Sequence, residues 1–262
     1  MNRVAIVTGG SSGIGKATAK ALSGAGYCVY EFSRSGGSEA GVRHITVDVT
    51  QRDSVFAGVD AVLAQQGRID VLVNNAGFGI SGAVECTDPA DVHAQLEVNF
   101  FGALNCIQAA LPAMRAQGGG HIVNISSVAA PIAIPFQAFY SAAKAAVNSM
   151  TLSLRNEVRP FGVQVCALQP GDVRTGFTNA RKKSALGEDI YGEALKRAVE
   201  VMEHDERNGM PPEAVARAVL RAVGAKRPRP LYTVGAQYRL FALIAKLFPA
   251  AFVNYLVGKI YR

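Results

Sequence analysis

Several kinds of chemistry have no signature in this sequence. Its four cysteines, Cys28, Cys86, Cys106 and Cys166, are spread over 262 residues with no CxxC spacing, so neither a disulfide framework nor a zinc site is indicated. Each lies in an apolar run and reads as a small buried side chain in a reducing compartment. No metal-ligating cluster stands out, and no metal is expected. Net charge is +7, but the basic clusters at 181–183 and 226–230 are short and set in loop-like sequence. They read as a solvated face, and no nucleic-acid partner is expected. Residues 1–10 run straight into a strand pattern without a charged leader and cleavage site, which makes the cytoplasm the expected location. There is no internal repeat and no low-complexity tract.

What the sequence does have is a rhythm. Short apolar runs, RVAIVT, YCVYEF, RHITVD, DVLVNN, HIVNIS and VQVCAL, alternate with stretches long enough for helices at 13–25, 51–66, 89–117 and 137–160. That alternation predicts βαβ units. Strands apolar at nearly every position predict a parallel sheet covered on both faces, a doubly wound α/β fold. With 49% apolar residues, one domain over residues 1–262 is expected. After the sixth run the rhythm stops; residues 176–212, with a helical centre near 193–206, form a candidate substrate lid, and RPLYTVG reads as a seventh strand. The tail at 237–262 is apolar with basic edges, its run cut by Lys246 and Pro249. It falls short of a spanning helix and leaves three readings: packing on the core or a subunit partner, an interfacial membrane helix, or a wall of the substrate pocket.

Chemistry is concentrated at the ends of the strands. VTGGSSGIG follows the first strand and opens the first helix, where a tight glycine turn lets backbone N–H groups meet a pyrophosphate at the helix N-terminus. Gly9, Ser11, Ser12, Gly13, Ile14 and Gly15 are the candidates. After the second strand an acid would favour NAD; Ser33 and Arg34 stand there instead, and arginine suits a 2′-phosphate, so NADP is favoured over NAD. Glu31 would restore an acid if the register were shifted by two. Tyr140 and Lys144 are four apart and share a helix face; an ammonium beside a phenol would lower its pKa from near 10 toward working range. Ser127 ends the preceding strand, placed to hold a substrate oxygen against that phenol.

Taken in order, the TGxxxGIG turn, NNAG at 74–77, Asn99, Ser127, the YxxxK pair and PGDVRT at 170–175 resemble the short-chain dehydrogenase/reductase family across roughly residues 8–175. The resemblance implies a seven-stranded sheet of order 3-2-1-4-5-6-7. It implies Tyr140 as acid/base, Lys144 as the group that tunes it and binds nicotinamide ribose, and Ser127 as the carbonyl-orienting hydroxyl. Asn99 would hold a water linking Lys144 to solvent; otherwise it is a helix-interior Asn bonding to backbone. Asn75, Ala76 and Gly77 would shape the adenine and ribose side, with Asp48 and Val49 flanking adenine. Pro170, Gly171, Val173 and Thr175 would sit at the nicotinamide, the last two on its carboxamide. A narrower likeness is to 17β-hydroxysteroid and retinol dehydrogenase-like enzymes. The expected activity is NADP-dependent interconversion of a carbonyl and a secondary alcohol on a lipophilic substrate, steroid, retinoid or acyl-chain. The alternatives are an NAD-preferring dehydrogenase, a non-catalytic NADP(H)-binding regulator, and a peripheral membrane scaffold. Relatives of this kind suggest a homodimer or homotetramer.

Overall fold

A computed structural model of the protein describes residues 3–36, 40–184 and 186–261. The leader reading at residues 1–2 and the last residue of the tail, 262, lie outside the described residues. Seven parallel strands, β1 (Val4–Thr8), β2 (Cys28–Ser33), β3 (Val42–Thr46), β4 (Val71–Asn74), β5 (Gly120–Ile125), β6 (Val163–Pro170) and β7 (Leu231–Val234), form one sheet of order β3-β2-β1-β4-β5-β6-β7. All seven apolar runs are strands, and the order is the one the resemblance implied. The order in which strands are added reverses between β1 and β4, and the crevice this leaves at the strands' C-terminal ends is where such sheets bind ligands.

The two-residue period of a strand divides the core. Val4 and Ile6 of β1, with Tyr30, Phe32, Leu72 and Ile122, face the helices α2 (Arg52–Gln66) and α4 (Gly102–Ala116). Ala5 and Val7, with Val29, Val73, Val123 and Leu168, face α1 (Gly13–Gly24) and α8 (Pro212–Gly224). Both faces are covered, so a parallel sheet exposes no apolar surface to water; each fully buried Leu or Ile is worth about 1.5–3 kcal/mol.

The segment expected as one helix at 89–117 has three parts: α3 (Pro89–Leu96), a π-helical turn over Glu97–Phe101, and α4. Asp88 caps α3, accepting a hydrogen bond from the Ala90 N–H, with Pro89 at the first helical position, as an N-terminus requires. The next helix is α5 (Ala138–Glu157), followed by a short 3₁₀ turn. The 176–212 segment folds as a four-residue helix α6 (Phe177–Ala180) and a long α7 (Glu188–Arg207). Lys182–Lys183 pairs with Ile80–Ser81 as a two-stranded ribbon beside the main sheet. Helix α8 went unread in the sequence, and the tail folds as α9 (Ala236–Leu247) and α10 (Ala250–Ile260), divided at Pro249 where its apolar run is cut.

A buried polar relay fixes α5 to the sheet. Asn74 of β4 donates to Asn124 of β5 at 2.8 Å, and Asn124 donates to Thr151 of α5 at 2.8 Å. Unmet amides in that interior would cost more than an apolar contact returns, so the relay permits essentially one axial position of α5.

Candidate active site

The glycine turn joins β1 to α1 at the edge of a cavity of about 320 Å³. Gly13 has φ +50 and Gly15 packs flat beneath the turn: a Cβ on Gly15 would lie 2.1 Å from the Gly9 carbonyl oxygen. Only hydrogen fits there. The N-cap of α1 is Ser12, whose side chain caps no N–H, and the first turn carries no acid. The helix therefore presents unpaired N–H groups and the positive end of its dipole to the cavity, a binding site for an anionic group. Thr8 ties this turn to the NNAG loop, its hydroxyl accepting from the N–H groups of Asn75 and Ala76 at 2.9 and 3.0 Å. Asn75 returns its amide to the carbonyls of Thr8 and Gly9.

Across the cavity stand Tyr140 and Lys144 on α5 and Ser127 just beyond β5, with Pro170, Gly171, Val173 and Thr175 after β6. The Tyr140 hydroxyl lies beside Ser127, whose hydroxyl favours the ionised phenol. Ser127 also accepts from the Ala129 N–H at 3.1 Å, whereas Ser126 turns away and donates to the Lys144 carbonyl at 3.2 Å. Lys144 is buried, donates from Nζ to the Ile125 carbonyl at 2.8 Å, and lies 5.7 Å from the centre of the Tyr140 ring.

The electrostatics correct one expectation. In place of the lowering expected from Lys144, burial dominates and pushes Tyr140 up to about 12, with Ser127 working against the rise. Glu206 and Asp172 add to the rise, and Arg181 opposes it. Burial also pushes Lys144 down to about 8, weakening the cation that was to act on the phenol. Both shifts favour the neutral form in a dry site.

Most of the residues singled out in the sequence line this one cavity: Gly9, Ser11, Ser12, Gly13, Ile14, Asn75, Ala76 and Gly77 join the group already described. Gly15 lies under the turn. Ser33, Arg34, Asp48 and Val49 line no part of the cavity, but they follow β2 and β3 on the same edge of the sheet. Arg34 is exposed. Glu31, the rival to Ser33, is buried under Gly10 with its carboxylate bonded to His44 and Ser33, so the exposed end of β2 carries Ser33 and Arg34. Val49 is buried against Gly102, and Asp48 closes its own turn by accepting from the Thr50 N–H at 3.0 Å. Asn99 sits in the π-helical turn with its amide committed to backbone: it accepts from the Phe78 N–H at 3.0 Å and donates to the Phe78 carbonyl at 2.9 Å. That is the backbone-bonded alternative, reached through a distant loop and not its own helix.

Sequence reasoning missed the wall opposite Ser127. Phe177 of α6 packs on Tyr140 with ring centres 5.7 Å apart. Glu206 of α7 lines the cavity and is held by an ion pair with the fully buried Arg181 and by a 2.7 Å bond from Thr178. A signal was present: Glu206 continues the buried stripe Ala198, Met202 at four-residue spacing, and a carboxylate on an apolar stripe calls for a buried partner. Asp172 lines the same wall and accepts from the Tyr238 hydroxyl at 2.5 Å. Burial raises its pKa.

Such a glycine turn, helix and tyrosine–lysine face on a doubly wound sheet define a nucleotide-dependent oxidoreductase, and comparison with known proteins gives the family. The family model described as short chain dehydrogenase matches residues 3–185. The chain belongs to the short-chain dehydrogenase/reductase family. It is 44% identical over 230 residues to a 3-ketodihydrosphingosine reductase of Bacteroides thetaiotaomicron, covering 86% of this chain and 85% of that protein. A short-chain dehydrogenase from Streptomyces avermitilis superposes with TM-score 0.82 at 30% identity, over 94% of each chain. Two further solved structures of the family have TM-scores of 0.78. One, from Burkholderia cenocepacia, is in complex with NADP at 26% identity over 97% of each chain. The other, from Burkholderia phymatum, is in complex with NAD at 27% identity over 94% of this chain and 95% of that one.

Proposed function

We propose that the chain is an NADPH-dependent reductase of a long-chain ketone, with Tyr140 as the proton donor. The observation that carries this is one cavity lined by Tyr140, Ser127 and Lys144 together with an uncapped helix N-terminus reached through a turn that only glycine can make. Gly9, Ser11, Ser12, Gly13 and Ile14 would hold the pyrophosphate, Val173 and Thr175 the carboxamide, and Lys144 the neighbouring ribose. Asn75, Ala76 and Gly77, with Asp48 and Val49, would border the adenosine half. A nicotinamide dinucleotide bound there supplies the hydride, and that chemistry is the cofactor's own. Arg34, exposed beside Ser33, favours NADP: its planar donors match a 2′-phosphate.

The chain's own residues then manage one oxygen atom. Ser127 donates a hydrogen bond to the substrate carbonyl, holding it against Tyr140 and polarising it. Tyr140, with its pKa pushed up to about 12, stays protonated at neutral pH and gives its proton to the alkoxide as that forms. A stored proton suits reduction; oxidation asks for a phenolate, which this environment disfavours. Lys144 is one turn below with its ammonium on the Ile125 carbonyl, placed to resupply the proton. Asn99, by pinning Phe78, keeps the loop over Lys144 in place.

The substrate class follows from the walls. Ile134, Val128, Ala129, Phe177 and Ala180 are apolar and line the cavity that contains Tyr140, a surface for an alkyl chain. Asp172 in the same cavity suits an ammonium near the ketone. A long-chain amino ketone such as 3-ketodihydrosphingosine, named for the Bacteroides relative, meets both.

The test is turnover of 3-ketodihydrosphingosine, beside a panel of hydrophobic ketones, with NADPH and NADH. Tyr140→Phe is expected to lower kcat by about 10²–10⁴-fold with NADPH affinity unchanged. Full turnover by that variant refutes the role of Tyr140. Normal NADPH binding with no turnover of any ketone would instead establish a binding module.

A further inference from the structure

The C-terminal helices are inverted. In α9 the less exposed residues are Tyr238, Ala242, Ile244 and Ala245; in α10 they are Val253, Val257 and Gly258, with Tyr261 just past its end. Most of the large apolar side chains point outward: Leu247 is 70% exposed, Tyr255 59%, Leu240 58% and Leu243 50%. Of the fifteen exposed large hydrophobic side chains among the described residues, nine lie between Leu240 and Ile260. An isolated surface helix has the opposite pattern, and a continuous apolar patch of this kind marks a binding surface.

Charge says what the surface meets. From residue 214 to the C-terminus the sequence contains nine Lys and Arg and no Asp or Glu. Arg239, Lys246 and Lys259 are exposed on the two helices. A second copy packed on the same segment through a twofold axis would bring more cations and no acid from that segment to pair them. An anionic lipid surface complements both features, taking the apolar side chains between its acyl chains and the cations at its headgroups. No helix among the described residues is long and apolar enough to cross a membrane, so the geometry is that of helices lying in the interface.

We propose that α9 and α10 dock this protein on an anionic bilayer, with the wall of the catalytic cavity beside the lipid. Tyr238, at the start of α9, packs its ring on Gly171 and donates to Asp172, both of which line the cavity. Tyr261, at the end of α10, is half-buried, and burial together with the nearby Asp172 raises its pKa. The docking helices therefore end on the cavity wall, and a long-chain ketone reaches Tyr140 from the bilayer without exposing its chain to water. That delivery step rests on the function proposed above; docking does not.

The experiment is flotation of the purified full chain with vesicles of phosphatidylcholine, alone or mixed with phosphatidylglycerol. The protein is expected to float with the mixed vesicles and much less with neutral ones. The pair Leu243→Gln and Leu247→Gln should weaken binding about a hundredfold, since each leucine buried in lipid is worth roughly tenfold or more. Lys246→Glu with Lys259→Glu should abolish the preference for anionic lipid. Docking is overturned if the chain floats with neither vesicle, or if it is a dimer in solution that the leucine pair converts to monomer with no lipid binding by either form. Turnover of a short, water-soluble ketone reads the catalytic centre separately and should be unchanged in all these variants. A chain that floats yet reduces no ketone upholds docking and refutes only the catalytic reading.

Discussion

Replacing Lys144 with methionine isolates the cost of burying its ammonium. The side chain is 5% exposed, and burial alone drives its pKa from 10.5 to about 8. The folded protein thus holds its proton less tightly than the unfolded chain, and between those two values the unfolded state binds more protons. Stability must therefore rise with pH across this window. From pH 7 to pH 9 this one group adds about 1 kcal/mol to the unfolding free energy, toward a limit of about 3 kcal/mol above pH 10.5. Methionine has nearly the same shape and no proton to lose. The Nζ bond to the Ile125 carbonyl is lost at every pH and does not enter the slope. Urea unfolding of both proteins at pH 7, 8 and 9 should show the wild type gaining on Lys144→Met by about 1 kcal/mol over that range. Parallel pH profiles would refute the claim that this ammonium is dehydrated, and with it the claim that Lys144 passes protons near neutrality. A rise confined to the methionine variant would refute the sign.

Other parts of the site make separate claims. Gly15→Ala puts a methyl against the Gly9 carbonyl; NADPH affinity should fall at least tenfold while the far-UV spectrum keeps its helix and strand signature, with a normal Kd by fluorescence titration as the contrary result. Arg181→Met strips Glu206 of its buried partner and should cost about 3–5 kcal/mol by urea unfolding, whereas the double change with Glu206→Gln should restore most of it. Arg34→Ser should raise the KM for NADPH about tenfold or more and leave that for NADH alone; equal effects on both cofactors would remove Arg34 from the 2′-phosphate. Tyr140, whose folded pKa lies near 12 against 10 unfolded, should make the protein lose stability between pH 10 and 12, a loss absent in Tyr140→Phe.

Local signals carried a large share of this protein. The inner strands were legible because a strand buried on both faces needs apolar residues at nearly every position, while the edge strands β3 and β7, less buried, showed through their turn-bounded spacing. The glycine turn, Ser127, Tyr140 and Lys144 were legible for the same reason: each is a demand of backbone geometry or helix spacing met within a few residues. Where the chain's distant parts meet could not be read that way. Helix α8 went unread, though its apolar stripe was in plain view, because its partner is α1, two hundred residues earlier. Arg181 and Glu206 are 25 residues apart, and their pairing behind Tyr140 exists only once α6 and α7 fold back over the cavity. The sequence also led to the wrong sign for the tyrosine. Four-residue spacing put an ammonium near a phenol, but solvent exclusion by the surrounding walls sets both pKa values, and dehydration of a group is a property of everything packed around it. The inward or outward sense of the C-terminal helices belonged to the tertiary structure alone, because an apolar run states that a surface is buried without stating against what.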